Sequence, residues 1–205
     1  MRSRVREDCR QLGEAAEESR PGPGLHALGG EAEAPDQQEA TAGLRFSPAR
    51  RRVVIIGYGN VMRTDDALGR HVAEALSSSG DWTALALHQL NPETAEIIAG
   101  ADVVVFVDAA TDGEFGAIRC RRVSTRADAT NLAHHVTPAA IMRLSRELFG
   151  ATPEAYEISM RGRCFDLGDH LSPALAADLP SLITFVRELA VASLASAADT
   201  FSSDR

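Results

Sequence analysis

The chain has 205 residues, enough for one α/β domain with a sizeable core and some tail. Hydrophobic residues make up 44% and charged residues 24%, which fits a mostly globular protein. A formal net charge of −8 argues against nucleic acid or an anionic membrane as the main partner.

Residues 1–50 are rich in Glu, Ala, Gly, Arg and Pro, with PGPG at 21–24 and few large apolar side chains. They are expected to form a disordered extension, or a loose helix near Arg4 to Glu18. The globular domain is expected over 51–192 and a flexible tail over 193–205. No apolar run is long enough to span a bilayer, and the N-terminus lacks the apolar centre of a secretion signal. Cys9, Cys120 and Cys164 form no paired pattern, which suits free thiols in a reducing cytoplasm.

Val53 to Gly57 reads as a first, buried strand, and Asp65 to Ser78 as a first helix with apolar residues at helical spacing. Thr83 to Leu87 reads as a second strand. Pro92 opens a helix, PETAEIIAG, that Gly100 stops. Asp102 to Asp108, DVVVFVD, has the continuous apolar run of a strand covered on both faces. Ala117 to Val123 alternates and suits an edge strand. Residues 124–136 read as a polar loop ending in His134-His135-Val136. Thr137-Pro138 opens a helix to Gly150, Tyr156 to Met160 is a strand, and Arg161 to Gly168 a loop. Ser172-Pro173 starts a last helical region, interrupted at Pro180, with a frayed tail from about Ala192. The alternation predicts an α/β fold, a three-layer α/β/α sandwich around a mostly parallel sheet of about five strands.

The stretch VVIIGYGNVMRTDDALG, Val53 to Gly69, organises the rest: strand, tight turn, then carboxylates at a helix start. It fails as a dinucleotide fingerprint, because Met62 stands where a third Gly is needed and the second strand ends in His88 rather than an acidic residue. With no Lys in the chain, a Walker loop and Schiff-base chemistry are excluded. No GxSxG elbow occurs, and no Cys lies in an activating motif. Carboxylates and imidazoles remain as the chemical groups.

Three such positions follow strands: Asp65-Asp66, Asp108, and His134-His135. First and third strands are commonly neighbours in a parallel sheet, so Asp66 and Asp108 would meet at their carboxyl ends with the His loop closing over them. Two carboxylates and one imidazole suit a borderline divalent metal with open positions. Other roles stay open for some of them. Asp65 reads as a helix N-cap, and Asp66 either as a ligand or as a complement to the helix dipole. An Asp closing VVVFV is costly to leave idle, although it also fits as a cap of the next turn. His71 reads as a helix-face residue, His88 as a loop residue near the site. Gly57 and Gly59 read as turn glycines with unusual backbone angles.

Taken together, GYGNVMRTDDALG, HQLNPETAEIIAGADVVVFVDAA and HHVTPAAIMRLSRELFG resemble the ordered motifs of the hydrogenase maturation endopeptidases; Tyr156 to Leu171 is more loosely similar. The resemblance spans about residues 52–190. It implies metal contacts at Asp66, where some members carry Glu, at Asp108, and at His134, or His135 if the register shifts by one. It implies an endopeptidase that removes a C-terminal peptide from the precursor of a [NiFe] hydrogenase large subunit after nickel insertion. The nickel would be the precursor's own and no nucleotide cofactor would be used, with Asp66 and Asp108 as catalytic residues of an aspartic-type or metal-assisted reaction. The implied partner is that precursor, with neither nucleic acid nor membrane, in the cytoplasm. The rival reading is a non-catalytic metal-binding assembly chaperone of the same fold.

Overall fold

The computed structural model describes residues 51–124 and 136–195. The expectations placed on residues 1–50, on His134 and His135, and on the chain beyond Ala195 lie outside the described residues.

Five strands form the sheet: β1 (Val53–Tyr58), β2 (Thr83–Leu87), β3 (Val103–Ala110), β4 (Ile118–Arg122) and β5 (Glu154–Arg161). Their order is β2-β1-β3-β5-β4. All neighbours are parallel except β4, which runs antiparallel to β5 at the edge. Val53 to Gly57 and Val103 to Val107 are buried without interruption, because helices cover both faces of these inner strands. β1 runs one residue further than expected and takes in Tyr58, so this side chain stands on the sheet rather than in the loop.

Alternation along the strands divides the core. Val54, Ile56, Val104, Phe106 and Ala155 face one layer and pack with Ile98 of α2 (Thr94–Ala99) and with Ile141 and Met142 of α3 (Pro138–Phe149). The other face carries α1 (Leu68–Leu76) and α4 (Pro173–Ala195), which touch each other and the strands beneath. This is the expected α/β/α sandwich. α3 begins as its sequence dictates: the Thr137 side chain accepts from the Ala140 N–H at 3.2 Å, Pro138 occupies the first turn, and Gly150 closes the helix at φ +67°.

The first helix does not begin at Asp65. Thr64–Ala67 is a short 3-10 turn, and α1 starts at Leu68. Nor does Pro180 interrupt the last helix, which is continuous to Ala195 and runs past the expected boundary at 192. Pro180 is exposed, as is Ala176 four residues earlier, so the missing N–H leaves its helical carbonyl on the solvent side. Leu175, Leu182, Val186 and Ala190 are buried and hold α4 together across that point. Among the described residues no helix is long and apolar enough to cross a membrane.

The glycines of the opening stretch set how α1 crosses β1. Gly59 has φ +142°, as expected of a turn glycine, but Gly57 is a strand residue without positive φ. Its need is space: a Cβ there would lie 1.8 Å from the Gly69 carbonyl oxygen of α1. Gly69 in turn lies against the Val107 and Tyr58 carbonyls, where a Cβ would approach to 2.2 and 2.6 Å. The helix therefore starts in backbone contact with β1 and β3, directly behind the loop that carries Asp66.

Candidate functional site

Asp66 and Asp108 come together at the carboxyl ends of β1 and β3, as the motif order predicts. β3 pairs directly with β1, and Asp108 continues the face of Val104 and Phe106 beyond the buried core. Asp66 ends the loop that leaves β1. Its carboxylate accepts from the Asn60 N–H at 2.8 Å, so it bridges the loop rather than only facing a helix dipole. The same contact gives the loop amide a carboxylate partner where a dinucleotide would need that amide for phosphate. Asn60 shapes the turn itself, its side-chain oxygen accepting from the Met62 N–H at 2.9 Å.

Asp108 does not cap a following turn. It accepts from the N–H of the next residue, Ala109, at 2.7 Å, and from the Tyr58 hydroxyl on the adjoining strand. Burial, and then the charges of Asp66 and Glu157, push its carboxyl up to about 7 against the pull of those two donors. Burial also pushes the Tyr58 phenol well above its ordinary range, helped by the charges of Asp108 and Glu157. Tyr58 is thus a hydrogen-bond donor to Asp108 throughout the neutral range.

Tyr58 and Glu157 were missed in the sequence. Tyr58 stands between Gly57 and Gly59, which read as turn glycines, and Glu157 sits inside what reads as an ordinary strand. A signal existed for both. Each is polar at an alternate strand position whose neighbours, Val54 and Ile56 or Ala155, face the core. Glu157 is ion-paired to Arg121 of β4 at 2.7 Å.

Asp65 is not an N-cap. No helix N–H is bound by its side chain. It is fully buried, and its carboxylate accepts the Arg163 N–H at 2.7 Å, the Cys164 N–H at 3.0 Å, the Ser172 N–H at 2.7 Å and the Ser172 hydroxyl at 2.8 Å. Burial pushes this carboxyl up, but the donors of Ser172, Arg163 and Cys164 outweigh it and hold the group below the usual carboxylate range. These partners lie about a hundred positions away in the chain, and no local pattern announces them. Beside it, Thr64 has φ +39°, a conformation that costs a β-branched residue about 1–3 kcal/mol. Its hydroxyl donates to the Cys164 carbonyl at 2.5 Å and its N–H to the Gly168 carbonyl at 3.0 Å, which holds it there.

His71 lies on α1 with Glu74 at 3.7 Å, and His88 is exposed. The third expected contact, His134, lies outside the described residues; α3, which that segment enters, packs on the same face of the sheet as Asp108. Among the described residues no cluster of three or more His, Cys, Asp or Glu side chains is arranged to hold a metal ion. The Asp66–Asp108 pair nevertheless has the chemistry of a cation contact. The Asp66 charge raises the cost of ionising Asp108, and a divalent cation placed beside Asp108 would relieve it.

The raised Asp108 has a measurable consequence. Its unfolded carboxyl titrates near 4, so stability from protonated Asp108 is fully present below about pH 4 and lost as pH rises through about 7. Asp108→Asn removes that loss. Between pH 5 and pH 8 the variant should gain about 2 kcal/mol on the wild type, the full linkage being about 4 kcal/mol before solvent relaxation. Urea unfolding of both proteins at the two pH values checks this, and parallel pH dependences would contradict it.

The fold is that of known proteases. HycI, a [NiFe] hydrogenase maturation protease from Thermococcus kodakarensis KOD1, is 26% identical, with the match covering 70% of this chain and 94% of that one at a TM-score of 0.56. HybD from E. coli, a hydrogenase maturating endopeptidase, is 19% identical, covering 69% and 93% at a TM-score of 0.59. A hydrogenase 2 maturation peptidase from Thaumarchaeota archaeon SCGC_AB-539-E09 is 23% identical, covering 68% and 97% at a TM-score of 0.52. No family model and no curated protein sequence matches the chain. The family to which the solved structures point is the one that the three sequence motifs resemble.

Proposed function

We infer that this chain, which shares its fold with the [NiFe] hydrogenase maturation proteases, is itself a processing endopeptidase of that kind. Its substrate is the precursor of a [NiFe] hydrogenase large subunit, shortened at the C-terminus once nickel is in place, in the cytoplasm. The observation that carries the reading is the carboxylate pair, Asp108 near the carboxyl end of β3 and Asp66 on the 3-10 turn that follows the adjacent parallel strand β1, with Asp108 pushed up to about 7.

The nickel in this reading belongs to the substrate. Asp66 and Asp108, with His134, would present anionic oxygens and an imidazole to it. Asp108 holds a proton near neutral pH in the free protein and gives it up when a divalent cation arrives. In a route without the cation on Asp108, the same carboxyl would instead accept a proton from an attacking water, since a base is most effective when its pKa lies near working pH. Tyr58 orients it from one side through its hydroxyl. Hydrolysis assisted by the substrate's metal is favoured over a purely aspartic-type route, because a cation contacted by the pair would polarise the scissile carbonyl or lower the pKa of a bound water, which two carboxylates alone cannot do.

Purified protein is incubated with nickel-loaded and with nickel-free precursor, and the precursor mass is followed. Shortening of the nickel-loaded form alone is expected. Equal cutting of both forms contradicts recognition of the metal. Binding without any change of mass identifies an assembly chaperone instead.

A further inference from the structure

Asp65 does no chemistry in the reading above, yet its buried carboxylate gathers four donors from the segment 163–172. We propose that Asp65 is a positioning residue: by fastening that segment to the 3-10 turn it fixes Asp66 over the carboxyl end of the sheet. This rests on the reading of Asp66 as a contact to the substrate's metal.

The fastening runs in both directions. Asp65 N–H donates to the Cys164 carbonyl at 3.1 Å, and Gly168 N–H donates to the Met62 carbonyl at 3.1 Å. Thr64 donates twice more to the same segment, to Cys164 and Gly168. The stretch Met62 to Asp65 is therefore laced to the β5–α4 connection immediately before Asp66. On its other side Asp66 rests on Gly59, where a Cβ would lie 1.7 Å from the Asp66 carbonyl oxygen. The Asp66 backbone is held between these two, and its side chain meets the Asn60 N–H.

The clamp needs a carboxylate. One Asp65 oxygen accepts from Arg163, Cys164 and the Ser172 hydroxyl, the other from the Ser172 N–H. An Asn in either orientation would turn its NH2 group against at least one main-chain N–H. A longer Glu would carry its carboxylate one methylene beyond the point where these four donors converge. A role in fold stability alone would lower the melting temperature and speed exchange of the core amides of β1 and β3 as much as that of Asn60. A positioning role predicts that loosening the clamp moves Asp66 and releases Asn60.

The test reads the Asn60 amide by hydrogen exchange in the wild type, Asp65→Asn, Ser172→Ala and Ser172→Thr, alongside the processing rate on nickel-loaded precursor. Ser172→Ala removes a single hydrogen bond to a charged acceptor and should speed Asn60 exchange, beyond any change in the β1 and β3 amides, and slow processing, each by about tenfold. Ser172→Thr keeps the hydroxyl and should restore both. If Asp65→Asn does not fold, Ser172→Ala decides. An Asn60 amide that exchanges as in the wild type overturns the proposal, whatever the melting temperature does. So does a faster Asn60 amide with undiminished processing. If the wild type itself cuts no precursor, the protease reading fails and the Asn60 amide alone decides the clamp.

Discussion

Asp66→Asn should abolish processing of the nickel-loaded precursor, by about 100- to 1,000-fold, while the protein stays folded. The change is isosteric and removes only the charge. The Asn60 N–H at 2.8 Å still finds an acceptor in the amide oxygen, so stability should stay within about 0.5 kcal/mol of the wild type. What is lost is one of the two anionic oxygens offered to a divalent cation, a contribution of several kcal/mol to a metal-assisted step. A second effect follows from the pair. The Asp66 charge is one of the causes that hold Asp108 up near 7, so its removal lets Asp108 ionise at lower pH. Loss of activity in Asp66→Asn is therefore not a consequence of protonating its neighbour. Mass spectrometry of the precursor gives the rate, and a melting curve controls for the fold. Full activity in the variant would remove Asp66 from the site. His134→Ala, measured the same way, should be as damaging.

Gly57→Ala should prevent folding, or cost more than about 4 kcal/mol. The added Cβ would meet the Gly69 oxygen at 1.8 Å, the Gly69 carbon at 2.5 Å and the Ala73 Cβ at 2.9 Å. These are mostly main-chain atoms of α1 and have no rotamer to change. Gly57 cannot retreat, because β1 is paired on both sides, with Ala86 and with Val107. Gly80→Ala is the control. A Cβ there meets nothing within 4 Å, and the substitution should stay within about 0.5 kcal/mol of the wild type. Denaturant unfolding of both separates a steric requirement from a general intolerance of Ala for Gly. A Gly57→Ala protein that unfolds with the wild type would show that the helix can lift off the sheet. Such a lift would also displace the loop carrying Asp66, so the same glycine serves fold and site.

Both predictions draw on a stretch that is legible in the sequence for different reasons at different residues. The strand Val53 to Gly57 announces itself by a continuous apolar run, and DVVVFVD does so again, because burial on both faces demands it. Thr137-Pro138 and Gly150 mark α3 because caps act on donors and acceptors within a turn of themselves. Asp66 and Asp108 follow from strand order plus the rule that parallel strands collect ligands at their carboxyl ends. The resemblance to one family supplied the rest of the functional expectation.

What escaped the sequence is what depends on distant partners. Asp65 reads locally as a cap, but its donors are on Arg163, Cys164 and Ser172, and only the fold brings them within reach. Gly57 reads as a turn glycine, but its requirement comes from the carbonyl of Gly69 on a helix crossing behind it. Pro180 reads as a break, but the buried face of α4 carries the helix through it. Tyr58 and Glu157 read as a turn residue between two glycines and a strand residue, until the pairing of β1, β3 and β5 sets both beside Asp108. The sequence by itself determined the elements, their order and the two carboxylates, because periodicity, capping and strand polarity are local. The tertiary structure decided which carboxylate fastens loops and which is raised near neutrality, because hydrogen-bond partners and burial are properties of the assembled sheet and loops.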